Sequence, residues 1–377
     1  MTTALDILAL VAVTTLAVTW VVYPLAIGML ATLRPRPFRI AGGTPERGLP
    51  SVSVVIASRD GAGDVARRVD NCLASSYAAD RLEVVVALDR SSEPADTRIG
   101  GGREDRVRTV AADPPGGKAS ALNAGVRAAR GEIIVFADTY QMYEPVTIRL
   151  LVDALGDGRT GAVSGRLELP PGRARLARTY WAYERWLRRR EAMVHSTIGA
   201  TGAVYAVRRE LWQPLPAGLL LDDVYTPMRV VLTGLRVGFV DDARALETRS
   251  SSPDREYRRK VRTLTGVIQV AAWLPAVLSP LRNPVWAQFV LHKLARMLTP
   301  LALLVVAFRA MWELRAVPRE YIAPAALLLF FAGAWTLRSS TRTAQQVRDV
   351  IAEAALLQAA VVMAGVNGIR GRWKVWE

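Results

Sequence analysis

The residues best suited to do chemistry in this chain are carboxylates. Asp222 and Asp223 stand side by side between Leu219-Leu220-Leu221 and an apolar, helix-like run. Upstream lies Gly199-Ala200-Thr201-Gly202, whose small residues let a ligand approach the backbone. A carboxylate lodged among apolar residues has its proton affinity set by that surrounding and suits general-base work. The structural rival is that either Asp caps a helix starting near Val224. Three more carboxylates follow β-type runs: Asp60, Asp89 and Asp138. Any one of them reads as a turn or cap residue. Together they fit a sheet whose ligand sits beyond the carboxyl ends of its strands. Gly116-Gly117-Lys118 places two glycines before a lysine at a helix start, which suits an anion. It lacks the spacing of a P-loop.

The elements that must carry these residues are legible nearby. Val52-Ser53-Val54-Val55-Ile56-Ala57 is a β-branched run that predicts a buried strand, and residues 64–75 have helical spacing. Leu82-Glu83-Val84-Val85-Val86-Ala87-Leu88 predicts a second strand, so the order is that of a parallel βαβ unit. Residues 131–138 predict another strand ending on Asp138. The fold class expected is α/β.

Composition narrows the functional classes. The 377 residues carry a net charge of +15, and 51 % are hydrophobic. One cysteine and two histidines exclude an intrachain disulfide and a Cys- or His-rich metal site, and leave little material for a Ser-His-Asp triad. The basic excess points to anionic partners such as nucleotide phosphates, lipid or nucleic acid.

Residues 7–33 carry no charge and are long enough to span a bilayer. Arg34, Arg36 and Arg39 follow and no basic residue precedes, so the amino terminus is expected outside and the next domain in the cytoplasm. Residues 34–50 read as a linker. The Arg-rich stretch 173–190, with Tyr180, Trp181, Tyr183 and Trp186, suits a membrane surface better than nucleic acid. Residues 298–314 and 321–337 are candidate spans, while 351–366 reads as an interfacial or re-entrant helix or a third span. Arg370, Arg372, Lys374, Trp373 and Trp376 favour a cytoplasmic carboxyl end.

The order of motifs over about residues 50–260 resembles the membrane-bound glycosyltransferases of family 2, which have the GT-A nucleotide-sugar transferase fold. Cellulose, chitin and hyaluronan synthases are its familiar members. The family's Gly-Lys-x-x-x-Leu-Asn motif is matched by Gly117, Lys118, Leu122 and Asn123. Its uridine-binding strand end is matched by Asp89, and its base-binding segment by Arg59 and Asp60, here without the family's Pro and Glu. Its Asp-x-Asp reads Asp138-Thr139-Tyr140, and its Gln-x-x-Arg-Trp reads Arg259-Lys260-Val261-Arg262-Thr263.

The resemblance implies a mostly parallel sheet with flanking helices in residues 51–283, an amino-terminal span in 1–33 and a membrane region in 284–377. It implies Asp223 as catalytic base and Arg59, Asp60, Asp89, Lys118 and Asp138 as the donor nucleotide site. Asp138 would hold Mg²⁺ or Mn²⁺, with Gln141 as a further oxygen donor, and Arg259 and Arg262 would face the phosphates. Gly199, Thr201, Gly202 and Asp222 would lie on the acceptor side. The activity implied is inverting transfer of a sugar from a nucleotide sugar, a UDP-sugar first, to a saccharide or lipid acceptor at the cytoplasmic membrane. Membrane lipids, and no nucleic acid, would be the other partners. A single-addition glycolipid transferase and a degenerate, non-catalytic membrane scaffold are the alternatives, the latter suggested by Tyr140 and Thr263.

Overall fold

The computed structural model describes residues 2–38, 48–89, 105–170, 175–249 and 252–373. Most of the linker expected at 34–50, together with Arg39, Arg173, Lys374 and Trp376, lies outside the described residues.

An eight-stranded sheet carries the site. In chain order its strands are β1 (Val52–Ser58), β2 (Leu82–Leu88), β3 (Val107–Ala111), β4 (Ile133–Ala137), β5 (Gln141–Tyr143), β6 (Thr160–Glu168), β7 (Val204–Arg208) and β8 (Arg236–Glu247). Their order across the sheet is β3-β2-β1-β4-β7-β6-β8-β5. The first four strands are parallel, with Val54 opposite Val84 and Val135, as the βαβ reading predicts. The other half is mixed: β7 is antiparallel to β4 and β6, β8 parallel to β6, and β5 antiparallel to β8.

The helices in chain order are α1 (Thr2–Ala17), α2 (Tyr23–Leu33), α3 (Ala62–Leu73), α4 (Lys118–Ala128), α5 (Thr147–Leu155), α6 (Arg175–Val194), α7 (Asp222–Leu232) and α8 (Pro253–Trp273), then α9 (Trp286–Gln288), α10 (Thr299–Leu314), α11 (Arg319–Arg338) and α12 (Arg342–Ile369). Strand alternation sends Val54, Ile56, Val84 and Val135 to one face, with Val65 and Val69 of α3 and Ile148 and Leu151 of α5. Val55, Val85, Ile134 and Phe136 go to the other, with Leu122 of α4, Val224 and Met228 of α7 and Val267 of α8. Both faces are covered, which is why these strands read as unbroken apolar runs.

Three helical stretches among the described residues are long and apolar enough to cross a membrane: Thr3–Leu33, Trp286–Leu314 and Arg342–Ile369. The second begins well before the expected 298, because α9 runs through a π turn (Phe289–Leu294) and a 3₁₀ turn (Ala295–Leu298) into α10. The third contains the whole of 351–366, so that stretch is one part of a 28-residue helix. Its carboxyl end is docked on α8: Asn367 Nδ2 donates to Thr265 Oγ1 at 3.3 Å and Gly368 lies against Ile268. The Arg-rich helix α6 packs on α2, with Tyr183 and Leu187 against Tyr23 and Ile27 and Trp186 against Gly28. Arg189 pairs at 3.3 Å with Asp241 of the sheet, so some of its charge is satisfied within the protein.

Candidate active site

The site is built on the carboxyl ends of β1, β2 and β4, facing the start of α7. Gly116 and Gly117 have φ of 82° and 89°, the left-handed region open to glycine, and turn the chain into α4. Asp89 Oδ1 accepts from the Gly117 backbone N–H at 2.7 Å, tying the end of β2 to that turn. Lys118 is then the first residue of α4, at its positive end. Its Nζ lies 3.2 Å from Asp138 Oδ1 and 3.3 Å from Asp222 Oδ1. Burial works against its charge, but Asp138, Asp222 and Asp223 outweigh burial and hold it protonated, above the usual lysine range.

Asp222 and Asp223 open α7 rather than precede it, and the cap position is Leu221. The rival reading, an Asp cap ahead of a helix near Val224, is not what the structure has: the helix begins two residues earlier and neither side chain caps it. Asp222 is 5 % exposed and takes a hydrogen bond from the Tyr205 hydroxyl at 3.3 Å. Burial, then Asp222, pushes that hydroxyl far up, so it remains a donor. Asp223 is partly buried and lies against the small-residue loop. Its carbonyl accepts from Ala200 N–H at 2.6 Å, and a Cβ on Gly202 would stand 3.0 Å from its Oδ2. A Cβ on Gly199 would likewise stand 3.3 Å from the Asp223 carbonyl oxygen. Burial first, and the neighbouring Asp222 charge second, raise the Asp223 carboxyl to about 6, against the pull of Lys118, Arg262 and Arg188.

Arg262 of α8 is held below its usual value by burial while the charges of Asp223, Asp138 and Asp222 oppose that shift, so it belongs to this cluster. Arg259, one turn earlier, is paired with Glu256 at 2.9 Å. Thr201 Oγ1 accepts from Arg188 Nη1 at 3.0 Å and donates to the Gly165 carbonyl at 3.1 Å. Asp60 is fixed by Ser58 and by the Tyr140 hydroxyl at 3.2 Å; that hydroxyl also lies 3.0 Å from Asp64 Oδ2. Arg59 is exposed at the end of β1. Lys118, Asp138, Asp222, Asp223 and Arg262 are thus one cluster, Asp60 lies with Tyr140 beside β1, and Arg259 stands one helical turn out.

Among the described residues no three His, Cys, Asp or Glu side chains form a ready-made metal site. Asp138, 36 % exposed, offers one carboxylate to the cleft. Hard cations such as Mg²⁺ are held by one or two carboxylates completed by substrate phosphates and water, and this donor set fits that arrangement. Gln141 is committed through Nε2 to Glu247 at 2.6 Å, and its Oε1 has no partner among the described residues.

Sequence reasoning missed three residues. Arg68, fully buried on α3, donates from Nε to the Asp138 carbonyl at 3.0 Å with its guanidinium 3.9 Å from the Tyr143 ring. Arg188 and Tyr205 are the other two. A lone arginine on the apolar face of α3 was the only available signal for the first.

The mixed sheet, with carboxylates and a lysine gathered at its strand ends, is the GT-A fold. Residues 50–266 match the model of the "Glycosyltransferase like family 2" family, and the chain belongs to that family as a glycosyltransferase. The mannosyltransferase PcManGT of Pyrobaculum calidifontis, solved with GDP-Man and Mn²⁺, shares the fold over 97 % of this chain and 99 % of its own, at a TM-score of 0.72 and 23 % identity. The probable glycosyltransferase YdaM of Bacillus subtilis (strain 168) is 25 % identical over 58 % of this chain and 55 % of its own. The succinoglycan biosynthesis protein ExoO of Rhizobium meliloti (strain 1021) is 30 % identical over 28 % of this chain and 30 % of its own. The chain therefore spans about half or less of these two curated relatives.

Proposed function

We propose that the protein is an inverting transferase that moves a sugar from a UDP-sugar or similar nucleotide sugar to a saccharide or lipid acceptor at the cytoplasmic membrane, in the synthesis of extracellular polysaccharide or cell-envelope glycan. One observation carries the reading: Lys118 bridges Asp138 and Asp222 while the next residue, Asp223, is an elevated carboxylate against the glycine loop. A group able to balance diphosphate charge thus sits beside a group able to take a proton.

The acceptor hydroxyl attacks the anomeric carbon, and its proton passes to the Asp223 carboxylate. The bond from that carbon to the diphosphate oxygen breaks on the opposite side, which inverts the centre. Lys118 and Arg262 offset the charge that develops on the leaving oxygen. Asp222 and Tyr205 hold Lys118 in place, and Asp89 holds the turn before it. When bound, Mg²⁺ or Mn²⁺ at Asp138 would supply further charge neutralisation at the diphosphate. Asp60 and Arg59 belong to the base side of the donor, Thr201 and the two glycines to the acceptor side. Arg259 is a weaker phosphate ligand than Arg262, since Glu256 already holds it.

The membrane reading assigns residues 1–33 and the apolar helices of 284–377 to the bilayer and 51–283 to the cytoplasm. Asp6 of α1 pairs at 2.8 Å with Arg309 of α10, supporting antiparallel neighbours with that pair at the outer end. In a Cys72→Ser background, a cysteine at the exposed Glu210 should resist an impermeant thiol reagent in intact cells, whereas one at Thr3 should be labelled. Ready labelling at position 210 overturns the topology.

The activity is tested by presenting UDP- and GDP-sugars with Mn²⁺ or Mg²⁺ to the purified full chain and sizing products by mass spectrometry. Sugar transfer or donor hydrolysis with at least one donor is expected. None with any donor would favour the non-catalytic scaffold.

A further inference from the structure

Arg68 has no task in the proposed mechanism, and its surroundings are unusual for its charge. α3 buries one stripe at helical spacing: Val65, Arg68, Val69 and Cys72. Arg68 is fully buried within it. Its partners among the described residues are uncharged. Nε donates to the Asp138 carbonyl at 3.0 Å, and Nη1 donates to Asn71 Oδ1. The guanidinium lies 3.9 Å from the centre of the Tyr143 ring, and Nη2 has no partner. Burying a charge without a counter-charge is costly. An apolar side chain of similar volume often serves such a position as well or better. The packing of α3 on the sheet therefore does not call for this cation.

What Arg68 touches does call for it. The ladder between β4 and β7 holds the chain as far as Ala137, opposite Val204. Asp138 is the next residue, and its carbonyl belongs to the peptide plane that joins it to Thr139. The bond from Arg68 fixes that plane, and with it the direction in which the Asp138 side chain leaves the strand end. Thr139, 3 % exposed, is fastened in turn by donating to Ser58 Oγ at 2.9 Å. The guanidinium is itself held in place. Asn71 Oδ1 also accepts from the Tyr143 backbone N–H at 2.8 Å, and Asn71 Nδ2 donates to the Tyr143 carbonyl at 3.0 Å. The Tyr143 hydroxyl lies 2.8 Å from the Phe136 carbonyl of β4. Arg68, Asn71 and Tyr143 thus make a buried frame behind the strand end, while the Asp138 carboxylate faces the cleft.

We propose that Arg68 is a positioning residue for the cation site at Asp138: it holds the Asp138 main chain so that the carboxylate is already aimed when a divalent cation arrives with the diphosphate. This rests on the reading of Asp138 as the metal anchor. Arg68 touches neither cation nor nucleotide and acts only through Asp138. A merely structural arginine would change stability alone. A positioning one changes the metal-dependent part of nucleotide binding in a protein that is still folded.

The test titrates the full chain in detergent with UDP and with GDP, each with and without Mn²⁺, and follows the melting curve of every variant. The quantity read is the gain in nucleotide affinity that Mn²⁺ brings. Arg68→Met should cut that gain roughly tenfold or more, the scale of losing a residue that orients a metal ligand, with metal-free affinity unchanged. Arg68→Lys keeps the charge but gives up the planar fork, and should lose a smaller part of the gain. Added to Asp138→Asn, Arg68→Lys should cost nothing further, since its effect passes through that carboxylate. A folded Arg68→Met protein with the parent's gain overturns the proposal. So does an equal fall with and without Mn²⁺, or a further loss in the double variant. Where Arg68→Met does not fold, an undiminished gain in Arg68→Lys overturns it. A parent that shows no Mn²⁺-dependent gain, or an Asp138→Asn protein that keeps it, would strike the metal reading of Asp138 itself and the proposal with it.

Discussion

Asp223→Asn is expected to lower sugar transfer by roughly 10²–10⁴-fold while leaving nucleotide affinity near that of the parent, because a general base acts only in the chemical step. The substitution keeps the shape of a side chain packed against Gly202, so geometry is not the variable. The pH profile supplies an independent check. With the carboxyl raised to about 6, the rate should climb with pH through that value and fall away below it. The stability consequence has the opposite sign to that of a helix cap. The folded carboxyl titrates near 6 and the ordinary one at 3.8, so between those values the folded state holds more protons than the unfolded. Asp223 therefore subtracts from stability progressively as pH rises through that window, and its full cost stands above it. Asp223→Asn should then raise the melting temperature at pH 7.5 and change it little near pH 4. Loss of a cap would instead cost on the order of 1 kcal/mol. A folded Asp223→Asn protein that keeps transfer within a few-fold of the parent would sink the assignment.

The parallel half of the sheet was legible because each strand there is a short β-branched run buried on both faces. β1 and β2 are found within a residue of their expected bounds, and Asp89 and Asp138 follow β2 and β4 as read. The start of α4 was legible from two glycines, and both adopt positive φ. The start of α7 was not. Asp222 looked like a residue outside a helix, but it opens α7, with its carboxylate on Lys118 and the Tyr205 hydroxyl. The start of the Trp286–Leu314 stretch was hidden by His292, Lys293 and Arg296, which break the apolar pattern. The polarity of His292 and Arg296 is answered by Glu184 and Glu191 on α6, a match across about a hundred residues that no local pattern carries.

Arg188 shows the same limit inside the site. It is one arginine among Arg185, Arg189 and Arg190, and composition made the whole helix a basic membrane face. In the fold this one turns toward Thr201 while Arg189 goes to Asp241, a difference between neighbours that composition does not carry. Tyr140 was visible as a departure from Asp-x-Asp, yet its contacts with Asp60 and Asp64 depend on how β1 and α3 bring those carboxylates to it.

That contact bears on the second change of large expected effect, Asp138→Asn, read as UDP or GDP affinity with and without Mn²⁺. Asp138 is the carboxylate that β4 delivers to the cleft, and the next candidate along the motif is a tyrosine whose hydroxyl lies within hydrogen-bond distance of two carboxylates. A divalent cation held here would be anchored to the protein by Asp138, with the diphosphate and water supplying its other oxygens. Removing that charge should reduce the Mn²⁺-dependent gain in nucleotide affinity by roughly 10–100-fold, the scale seen when support for a metal site is lost. Metal-free affinity should hold or rise, since Lys118 loses one of its two carboxylate partners and keeps Asp222. The two readings move in different directions, which separates loss of a metal anchor from general damage to the site. Tyr140→Asp is the companion test. It restores a second carboxylate and should tighten Mn²⁺ binding, although the new charge would stand near Asp60 and Asp64. A Mn²⁺ titration that Asp138→Asn leaves unchanged would mean the cation is anchored elsewhere, and the Asp60–Asp64 pair beneath Tyr140 would then be the first place to look.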